Sequence, residues 1–364
     1  MYLAGLWLTD FRCYREAALE LTAGVTVISG ANAQGKTSLL EAVAWAATGA
    51  SFRGVPDAAL VRAGCDAAIV RAEVVDGTRV QLFEAEIRAS GRNRVRMNRQ
   101  ALQHAQDRAA VMRVTVFAPD DLQLVKGGPA GRRDYLDDLL VSAAPRYVAV
   151  RADYERVLRQ RNTLLKHGIR NVDAESTLDV FDAQLARAGA ELTRGRLRML
   201  ERLTPLVEAS YGELAGEAAV SAAYEAAWLG DSTPAEAESA LLAALGERRR
   251  AELERGVTLT GPHRDEWRLQ VSGLDSRLHA SQGEQRTLAL ALRVGGHRLS
   301  TDVVGTPPVL LLDDVFSELD EHRAAALLAH LDAAQTLVTT AGSVPAGMHA
   351  ELLLRVDDGH LEAA

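Results

Sequence analysis

The strongest constraint on the fold is a glycine-containing loop between a predicted strand and a predicted helix. The loop consists of Gly30, Ala31, Asn32, Ala33, Gln34, Gly35, Lys36 and Thr37. It matches the pattern G-x-x-x-x-G-K-[ST] in full. The β-branched run at residues 25–28 predicts a buried strand, and the helix formers at residues 38–47 predict a buried helix. Backbone N–H groups of such a loop and the positive helix end bind phosphate, so we predict a nucleoside triphosphate site in an α/β fold.

Two further sequence features supply the chemistry that a phosphate loop needs. Lys36 is expected to reach the β- and γ-phosphates, and the Thr37 hydroxyl is expected to ligate Mg²⁺. Residues 309–314 read VLLLDD, which predicts a buried parallel strand that ends in two acids at the ligand-binding edge of the sheet. We expect Asp313 to hold Mg²⁺ through water beside Thr37. Asp314 is expected near the γ-phosphate, where it could orient or deprotonate the attacking water.

A helix start at residues 280–286, with the sequence ASQGEQR, carries a third motif. Ser281 is a good N-cap and Glu284 is the third residue after it, so the pair alone predicts a capping box that only stabilises the helix. A Ser-Gly helix start shortly before the strand that ends in Asp313 and Asp314 also resembles the signature motif of ABC-type ATPases. In that family the motif binds the γ-phosphate of ATP held by the other subunit. The resemblance implies that Ser281, Gly283 and Glu284 contact nucleotide across a dimer and that Ser281 takes part in catalysis.

Composition limits the class of protein. The 364 residues are 48% hydrophobic and 25% charged, which is typical of a globular chain of two or three domains and not of a disordered tail. Two cysteines fit a reducing cytosol, and neither a signal peptide nor a membrane span is visible, so we expect a cytoplasmic protein. The net charge of −8 argues against constitutive binding to nucleic acid.

The hydrophobic pattern predicts how the chain is divided. Residues 67–117 alternate apolar with polar side chains, which predicts an antiparallel meander followed by a strand that returns to a buried sheet. Residues 132–255 have a helical pattern, with a basic stretch at 146–202 and an acidic one at 208–254. Those stretches are either solvated helix faces or surfaces for different partners. We predict an α/β protein with a discontinuous ATPase domain (residues 1–130 and 256–364), an antiparallel β subdomain, and a compact, mostly helical insert (residues 131–255) without a long coiled coil.

Further motifs extend the likeness along nearly the whole chain. They are residues 317–320, Thr340 at the place of the usual switch histidine, and residues 51–53, 117–137 and 261–265. Together they resemble the RecF family, bacterial recombinational-repair ATPases related to the SMC class. The resemblance implies an ATP- and Mg²⁺-dependent homodimer on double-stranded or gapped DNA, with the recombination mediator RecR as a partner and no membrane. It further implies that the dimer helps to load recombinase at gaps in DNA. Slow, DNA-stimulated hydrolysis of ATP is then expected to release the dimer from DNA.

Several residues depart from the ABC pattern. Asp314 replaces the usual Glu, Thr340 replaces a His, and no glutamine follows Phe117 where that class has one. These departures predict slow hydrolysis, with ATP acting mainly to hold a dimer together. Two alternatives stay open, a P-loop small-molecule kinase and the cytosolic ATPase subunit of an ABC transporter. A kinase would leave the Ser281 motif unexplained, and a transporter subunit would be expected to have the missing Gln and His.

Arginines supply the candidate DNA contacts. Arg92, Arg94 and Arg96 share one face of a predicted strand, with Arg99 close by. This face is either a DNA surface or ordinary solubilising charge. The candidates in the helical region are Arg132, Arg133, Arg151, Arg156 and Arg159. The roles of Arg12, Tyr14 and His263 stay open at this point.

Overall fold

The computed structural model describes residues 1–102, 112–167, 172–216, 219–330, 333–342, 344 and 347–363. Its strands, in chain order, are β1 (Tyr2–Phe11), β2 (Tyr14–Glu20), β3 (Gly24–Ser29), β4 (Ala67–Asp76), β5 (Arg79–Arg88), β6 (Arg94–Met97), β7 (Gln100–Ala101), β8 (Val114–Phe117), β9 (Val220–Glu225), β10 (Glu266–Val271), β11 (Leu274–Asp275), β12 (Val309–Asp313), β13 (Gln335–Thr340), β14 (Leu352–Asp357) and β15 (His360–Ala363). Its helices are α1 (Lys36–Thr48), α2 (Gln123–Lys126), α3 (Pro129–Ala143), α4 (Tyr147–His167), α5 (Val172–Ala215), α6 (Ala237–Arg255), α7 (Ser276–His279), α8 (Gln282–Val304) and α9 (Glu321–His330).

The chain forms two compact units. The first comprises Met1–Leu122, Ala209–Glu217 and Arg286–Ala364, and the second comprises Gln123–Glu208 and Ala218–Gln285. Residues 256–285 therefore group with the second unit and not with the segments that carry the phosphate loop. The physical reason is that β10 pairs with β9 along its whole length. The assignment of an ATPase domain and an insert to particular residues stays a prediction.

The first unit contains a six-stranded, mainly parallel sheet in the order β15-β14-β3-β13-β12-β8. Every residue of β12 is buried, as the continuous apolar run predicts for a strand that is covered on both faces. The helix α1 follows β3 and buries most of its length. In the register of the sheet, Thr339 of β13 lies beside Asp313 of β12, and Thr340 lies beside Ser29 of β3. The carboxyl ends of these three strands therefore meet at one edge, where the phosphate loop begins.

The second sheet of the first unit is antiparallel, in the order β2-β1-β4-β5-β6-β7. Strand β4 alternates as the sequence predicts: Ala68, Val70, Ala72 and Val74 are buried, and the residues between them are more exposed. The predicted meander is confirmed for the described strands, and β8 returns to the parallel sheet beside β12. Residues 103–111, which also fall in this predicted region, lie outside the described residues.

The second unit is mostly helical but also holds the three-stranded sheet β11-β10-β9. Strand β9 lies in the region predicted to be mostly helical, and residues 220–225 are an exception to the helical pattern there. The strand forms because its partner β10 lies far along the chain, a pairing that local periodicity does not reveal. In the part of the chain that the structure covers, no helix combines the length and apolar character needed to cross a bilayer.

A buried arginine ties the helices of the second unit together. Arg161 of α4 is fully buried; its Nε donates to Asp182 at 2.6 Å, and its guanidinium also donates to Glu252 at 2.7 Å and to the Thr258 hydroxyl at 2.9 Å. Both carboxylates are buried as well. Removing one partner of such a group leaves charge in a low-dielectric interior, which is strongly unfavourable.

We expect Arg161→Ala to lower the free energy of unfolding by about 3–5 kcal/mol, because Glu252 would stay buried without its cation and Asp182 would keep Arg249 but lose Arg161. Arg250→Ala is the matched control, since the Arg250 side chain is 93% exposed and pairs with Glu254 at the surface. It should change the free energy by less than about 0.5 kcal/mol. Urea unfolding followed by circular dichroism measures both, and equal effects of the two variants would contradict the assignment.

Candidate nucleotide-binding site

The phosphate loop needs glycine at both of its ends. Gly30 has φ +152°, and an added Cβ would lie 2.3 Å from the carbonyl oxygen of Val356 in β14. Gly35 has φ +115°, and its Cβ would lie 2.7 Å from the Sγ atom of Cys13. A side chain at either position would strain the backbone and collide with a neighbour. The loop therefore takes this course only with glycine there, and Asn32 and Ala33 lie exposed at its tip.

Lys36, the first residue of α1, points into the loop. Its Nζ atom donates hydrogen bonds of 2.8 Å to the carbonyl oxygens of Gly30 and Ala31. Burial lowers the pKa of Lys36, while the charges of Asp314 and Asp313 act in the opposite direction. An ammonium group at the centre of a loop rich in backbone N–H groups can bind the oxygens of a phosphate.

The Thr37 side chain joins the loop to the end of β12. Its Oγ1 atom donates to Oδ1 of Asp313 at 2.8 Å, and Oγ1 of Thr339 donates to the same oxygen at 2.8 Å. Burial raises the pKa of Asp313, whereas the two hydroxyl donors act to lower it. Because the Thr37 hydroxyl gives its proton to a carboxylate, its lone pairs are available to a cation. A hydroxyl and a carboxylate beside a phosphate site are ligands that suit Mg²⁺.

Asp314 has two unusual properties. Its backbone is in the left-handed region, with φ 51° and ψ 25°, which is rare for a residue other than glycine. Its Oδ1 atom is buried and has no hydrogen-bond partner among the described residues. A buried carboxylate oxygen normally has a partner, so this atom marks a place for a water molecule or a ligand group. The donor set of the loop, Thr37, Asp313 and Asp314 thus fits a nucleoside triphosphate with Mg²⁺.

The loop and α1 are supported from behind by residues whose roles the sequence left open. The guanidinium of Arg12 donates two hydrogen bonds of 2.7 Å to the buried carboxylate of Glu41 in α1. The hydroxyl of Tyr14 donates to the carbonyl oxygen of Gly35 at 3.1 Å. Gln34 accepts a hydrogen bond from the backbone N–H of Asp358, in the turn between β14 and β15. Each of these contacts joins segments far apart in the chain, so no local sequence pattern reveals it.

The predicted signature residues lie in the second unit, where they form a complete capping box. The backbone N–H and the hydroxyl of Ser281 donate to Oε2 of Glu284 at 2.8 and 2.7 Å, and the N–H of Glu284 donates back to the Ser281 hydroxyl at 3.3 Å. The two hydrogen bonds that Ser281 donates lower the pKa of Glu284. Ser281 is exposed and Gly283 is half-buried. The capping interpretation is thus confirmed, and the role of Ser281, Gly283 and Glu284 towards a second subunit stays a prediction.

The segments after β12 and β13 hold their positions through local hydrogen bonds. The hydroxyl of Ser317 donates to the carbonyl oxygen of Asp314 at 2.7 Å. Asp320 accepts from the N–H of Arg323 at 2.9 Å, close to the start of α9. Thr340, at the place of the usual switch histidine, is buried and accepts from the N–H of Gly342 at 3.1 Å. A threonine hydroxyl here cannot supply the acid–base chemistry of an imidazole.

The candidate DNA-binding arginines of the antiparallel sheet face acidic neighbours. Arg94 of β6 lies opposite Glu86 of β5, with a nitrogen–oxygen distance of 3.5 Å. Arg96 lies opposite Glu84, which itself pairs with Arg71 at 3.4 Å. Charges of alternate sign across the strands partly neutralise this face, which favours the solubilising interpretation for Arg94 and Arg96.

The arginines of the second unit divide by burial. Arg132 is buried and pairs with Glu266 at 2.9 Å, so its assignment as a DNA contact is wrong. Arg133 donates to the carbonyl oxygen of Asp265 at 2.7 Å. Arg156 and Arg159 are exposed and keep their place as candidates, whereas the half-buried Arg151 binds three carboxylates.

His263 is part of the interior of the second unit. Its Nδ1 atom is 2.6 Å from the hydroxyl of Tyr154, and its Nε2 atom is 3.2 Å from the carbonyl oxygen of Thr258. Burial lowers the pKa of His263 to about 4, so the ring is neutral at pH 7. The side chain therefore has a packing and hydrogen-bonding role here. Within the described ranges, no cluster of three or more His, Cys, Asp or Glu side chains could hold a metal ion.

Comparisons with known proteins agree with the architecture. A family model described as the RecF/RecN/SMC N terminal domain matches residues 2–351. The DNA replication and repair protein RecF of Streptomyces avermitilis is 43% identical over the full length of both chains, and that of Acidothermus cellulolyticus is 45% identical over 93% of each.

Solved structures show the same relationship. The structure of the recombination mediator protein RecF-ATP in the RecFOR pathway matches with a TM-score of 0.93 and 29% identity, covering 100% of this chain and 97% of that one. The Smc head bound to the C-winged helix domain of ScpA matches with a TM-score of 0.59 at 16% identity, covering 100% and 97%, and shows the fold alone. The predicted α/β ATPase head of the ABC and SMC type is confirmed, with no long coiled coil in the described residues. The chain belongs to the RecF family.

Proposed function

We propose that this chain is an ATP-dependent DNA-binding protein of recombinational repair and replication restart, in which ATP and Mg²⁺ join two copies of the chain. The observation that carries the proposal is the convergence of the phosphate loop, Lys36, Thr37 and the acids Asp313 and Asp314 at one edge of the parallel sheet. The relatives are named as DNA replication and repair proteins, and one solved relative is described as RecF-ATP. These names support the same ligand and the same process for this chain.

The proposed binding of ATP follows from the groups in the loop. Backbone N–H groups at residues 30–37 and the N-terminal end of α1 would bind the phosphates, with Lys36 on the β- and γ-phosphates. Thr37 and Asp313 would hold Mg²⁺, which supplies positive charge that stabilises the phosphoryl group during its transfer. Asp314 would orient the attacking water through the buried oxygen that has no described protein partner.

The proposed dimer is symmetric, with each copy contributing a phosphate loop to one site and Ser281 and Gly283 to the other. A contact of this kind is isologous, so two ATP molecules would lie in a two-fold interface. Ser281 is exposed, and its hydroxyl would bind a γ-phosphate oxygen of the ATP held by a second copy by donating to it in place of Glu284. ATP would favour the closed dimer because only that state makes both sets of contacts.

We further propose that the closed dimer binds double-stranded or gapped DNA, acts with RecR, and helps to load recombinase. Support comes from the naming of relatives as members of the RecFOR pathway and as repair proteins. Hydrolysis would open the dimer and would be stimulated by DNA. It would be slow, because Asp314 has a shorter side chain than the usual Glu and Thr340 offers no imidazole. The family assignment disfavours a small-molecule kinase or a transporter subunit.

We expect Lys36→Met to lower ATP affinity by about 100-fold, because the charge-assisted hydrogen bonds to phosphate would be lost. Dimerisation would be lost with it. Lys166→Met is the matched control: it removes another of the three lysines, one that is exposed on α4. Titration with a fluorescent ATP analogue measures both, and ATP affinity that is unchanged in Lys36→Met would contradict the assigned site.

We expect Ser281→Arg to bind ATP with wild-type affinity but to stay monomeric, because the arginine would occupy the space of the partner's γ-phosphate. The control must separate this effect from loss of the helix cap. Thr233 and Glu236 form an equally complete capping box at another exposed helix start, so Thr233→Arg breaks a cap without touching the motif. Sedimentation velocity with ATP should show dimers for Thr233→Arg only. An ATP-dependent dimer of Ser281→Arg would exclude the scheme.

We expect DNA binding to require ATP and to weaken by roughly 1,000-fold between about 50 and 200 mM salt, as contacts to several phosphates predict. Arg159→Gln, in the basic stretch of the second unit, should reduce the slope of log affinity against log salt by about one. Arg250→Gln, in the acidic stretch, should leave the slope unchanged. Fluorescence anisotropy with a gapped duplex measures both, and a salt-independent affinity would count against a DNA-binding role.

A further inference from the structure

One buried hydroxyl beside the two acids has no role in the chemistry described so far. Thr339 lies on β13, between β3 and β12 in the sheet, and its side chain is almost completely buried. In the parallel pairing with β12 it is the register partner of Asp313. Paired residues of neighbouring strands direct their side chains to the same face of the sheet, so the threonine hydroxyl and the carboxylate lie side by side.

The Thr339 hydroxyl contacts both acids. It donates its proton to Oδ1 of Asp313 at 2.8 Å and accepts a hydrogen bond from the backbone N–H of Asp314 at 3.0 Å. A hydroxyl has one proton and two lone pairs, so both bonds can exist together. The N–H of Asp314 also lies 3.3 Å from the carbonyl oxygen of Thr339. One residue therefore fixes the side chain of the first acid and the backbone of the second.

The two contacts act on parts of the site that need restraint. Oδ1 of Asp313 receives two hydroxyl donors, from Thr37 on α1 and from Thr339 on β13, and two donors from opposite elements fix the plane of a carboxylate. Asp314 has a left-handed backbone that a non-glycine residue keeps only where its surroundings hold it. The hydrogen bond that Thr339 accepts from the N–H of Asp314 is one such restraint.

We propose that Thr339 is a positioning residue of the Mg²⁺ site, which orients the Asp313 carboxylate and holds the backbone turn at Asp314. The inference rests on the proposed function, because it takes Mg²⁺ and ATP as the ligands of this edge. Groups that hydrogen-bond to a metal ligand set its orientation and basicity, and their removal commonly lowers metal affinity by about 10- to 100-fold. Thr339 acts through the two acids and has no contact with nucleotide in this role.

The test compares Thr339→Val, which keeps the shape but loses the hydroxyl, with Thr339→Ser, which keeps the hydroxyl. Thr336→Val is the matched control, because it removes a hydroxyl from the same strand three residues away, on the opposite face of the sheet. The affinity for a fluorescent ATP analogue is measured first in EDTA and then at increasing concentrations of Mg²⁺. Thermal unfolding by circular dichroism reports the fold of each variant.

We expect Thr339→Val to raise the Mg²⁺ concentration that gives the half-maximal change in binding of the ATP analogue, by between about 10- and 100-fold. Its ATP affinity in EDTA should stay within about twofold of wild type. Thr339→Ser and Thr336→Val should both behave as wild type. If Thr339→Val showed the same dependence on Mg²⁺ as wild type, the positioning role would be overturned. It would also be overturned if Thr339→Ser failed to keep the wild-type dependence. Absence of ATP binding by the wild-type protein would instead overturn the proposed function, so the two failures are distinguishable.

Discussion

The candidate site depends on one carboxylate oxygen that accepts hydrogen bonds from two hydroxyl groups on different elements. Oδ1 of Asp313 accepts from Thr37 at the start of α1 and from Thr339 on β13, each at 2.8 Å. These bonds connect the phosphate loop with β12, which ends at Asp313, and with β13, which lies between β3 and β12. They form only because the sheet order brings β3, β13 and β12 together with their carboxyl ends at one edge. The geometry of a site for phosphate and a divalent cation thus follows from strand order.

The phosphate loop is held on its other side by long-range contacts of a different kind. Tyr14 donates to the carbonyl oxygen of Gly35, the turn at Asp358 donates to Gln34, and the Arg12–Glu41 pair fixes α1. The loop is therefore enclosed by the antiparallel sheet's first hairpin and by the last hairpin of the chain. Such pre-organisation reduces the conformational entropy that phosphate binding would otherwise cost.

The charge distribution is consistent with DNA binding that occurs only under some conditions. The net charge is −8, and the arginines on the exposed face of the antiparallel sheet stand opposite glutamates. A single copy therefore offers limited net attraction for a polyanion. In the proposed scheme ATP brings arginine surfaces from two copies together, so the acidic balance limits when the protein binds DNA and does not exclude binding.

Local patterns predicted the elements that carry the site, and long-range contacts account for what they missed. The strand–loop–helix unit and the apolar strand ending at Asp313 depend on neighbouring residues, so sequence alone located them. The support from Gln34 and the positioning contact of Thr339 join segments that no local pattern connects. Strand β9 and the buried state of Arg132 depend on β10 and Glu266, and the sequence around them gives no sign of either partner.

Sedimentation velocity of the wild-type protein measures whether ATP joins two copies of the chain. The runs compare no nucleotide, ADP with Mg²⁺ and ATP with Mg²⁺ at the same protein concentration. We expect a mass near 39.1 kDa in the first two conditions and near twice that value with ATP. The same mass in all three conditions, whether monomer or dimer, would contradict it.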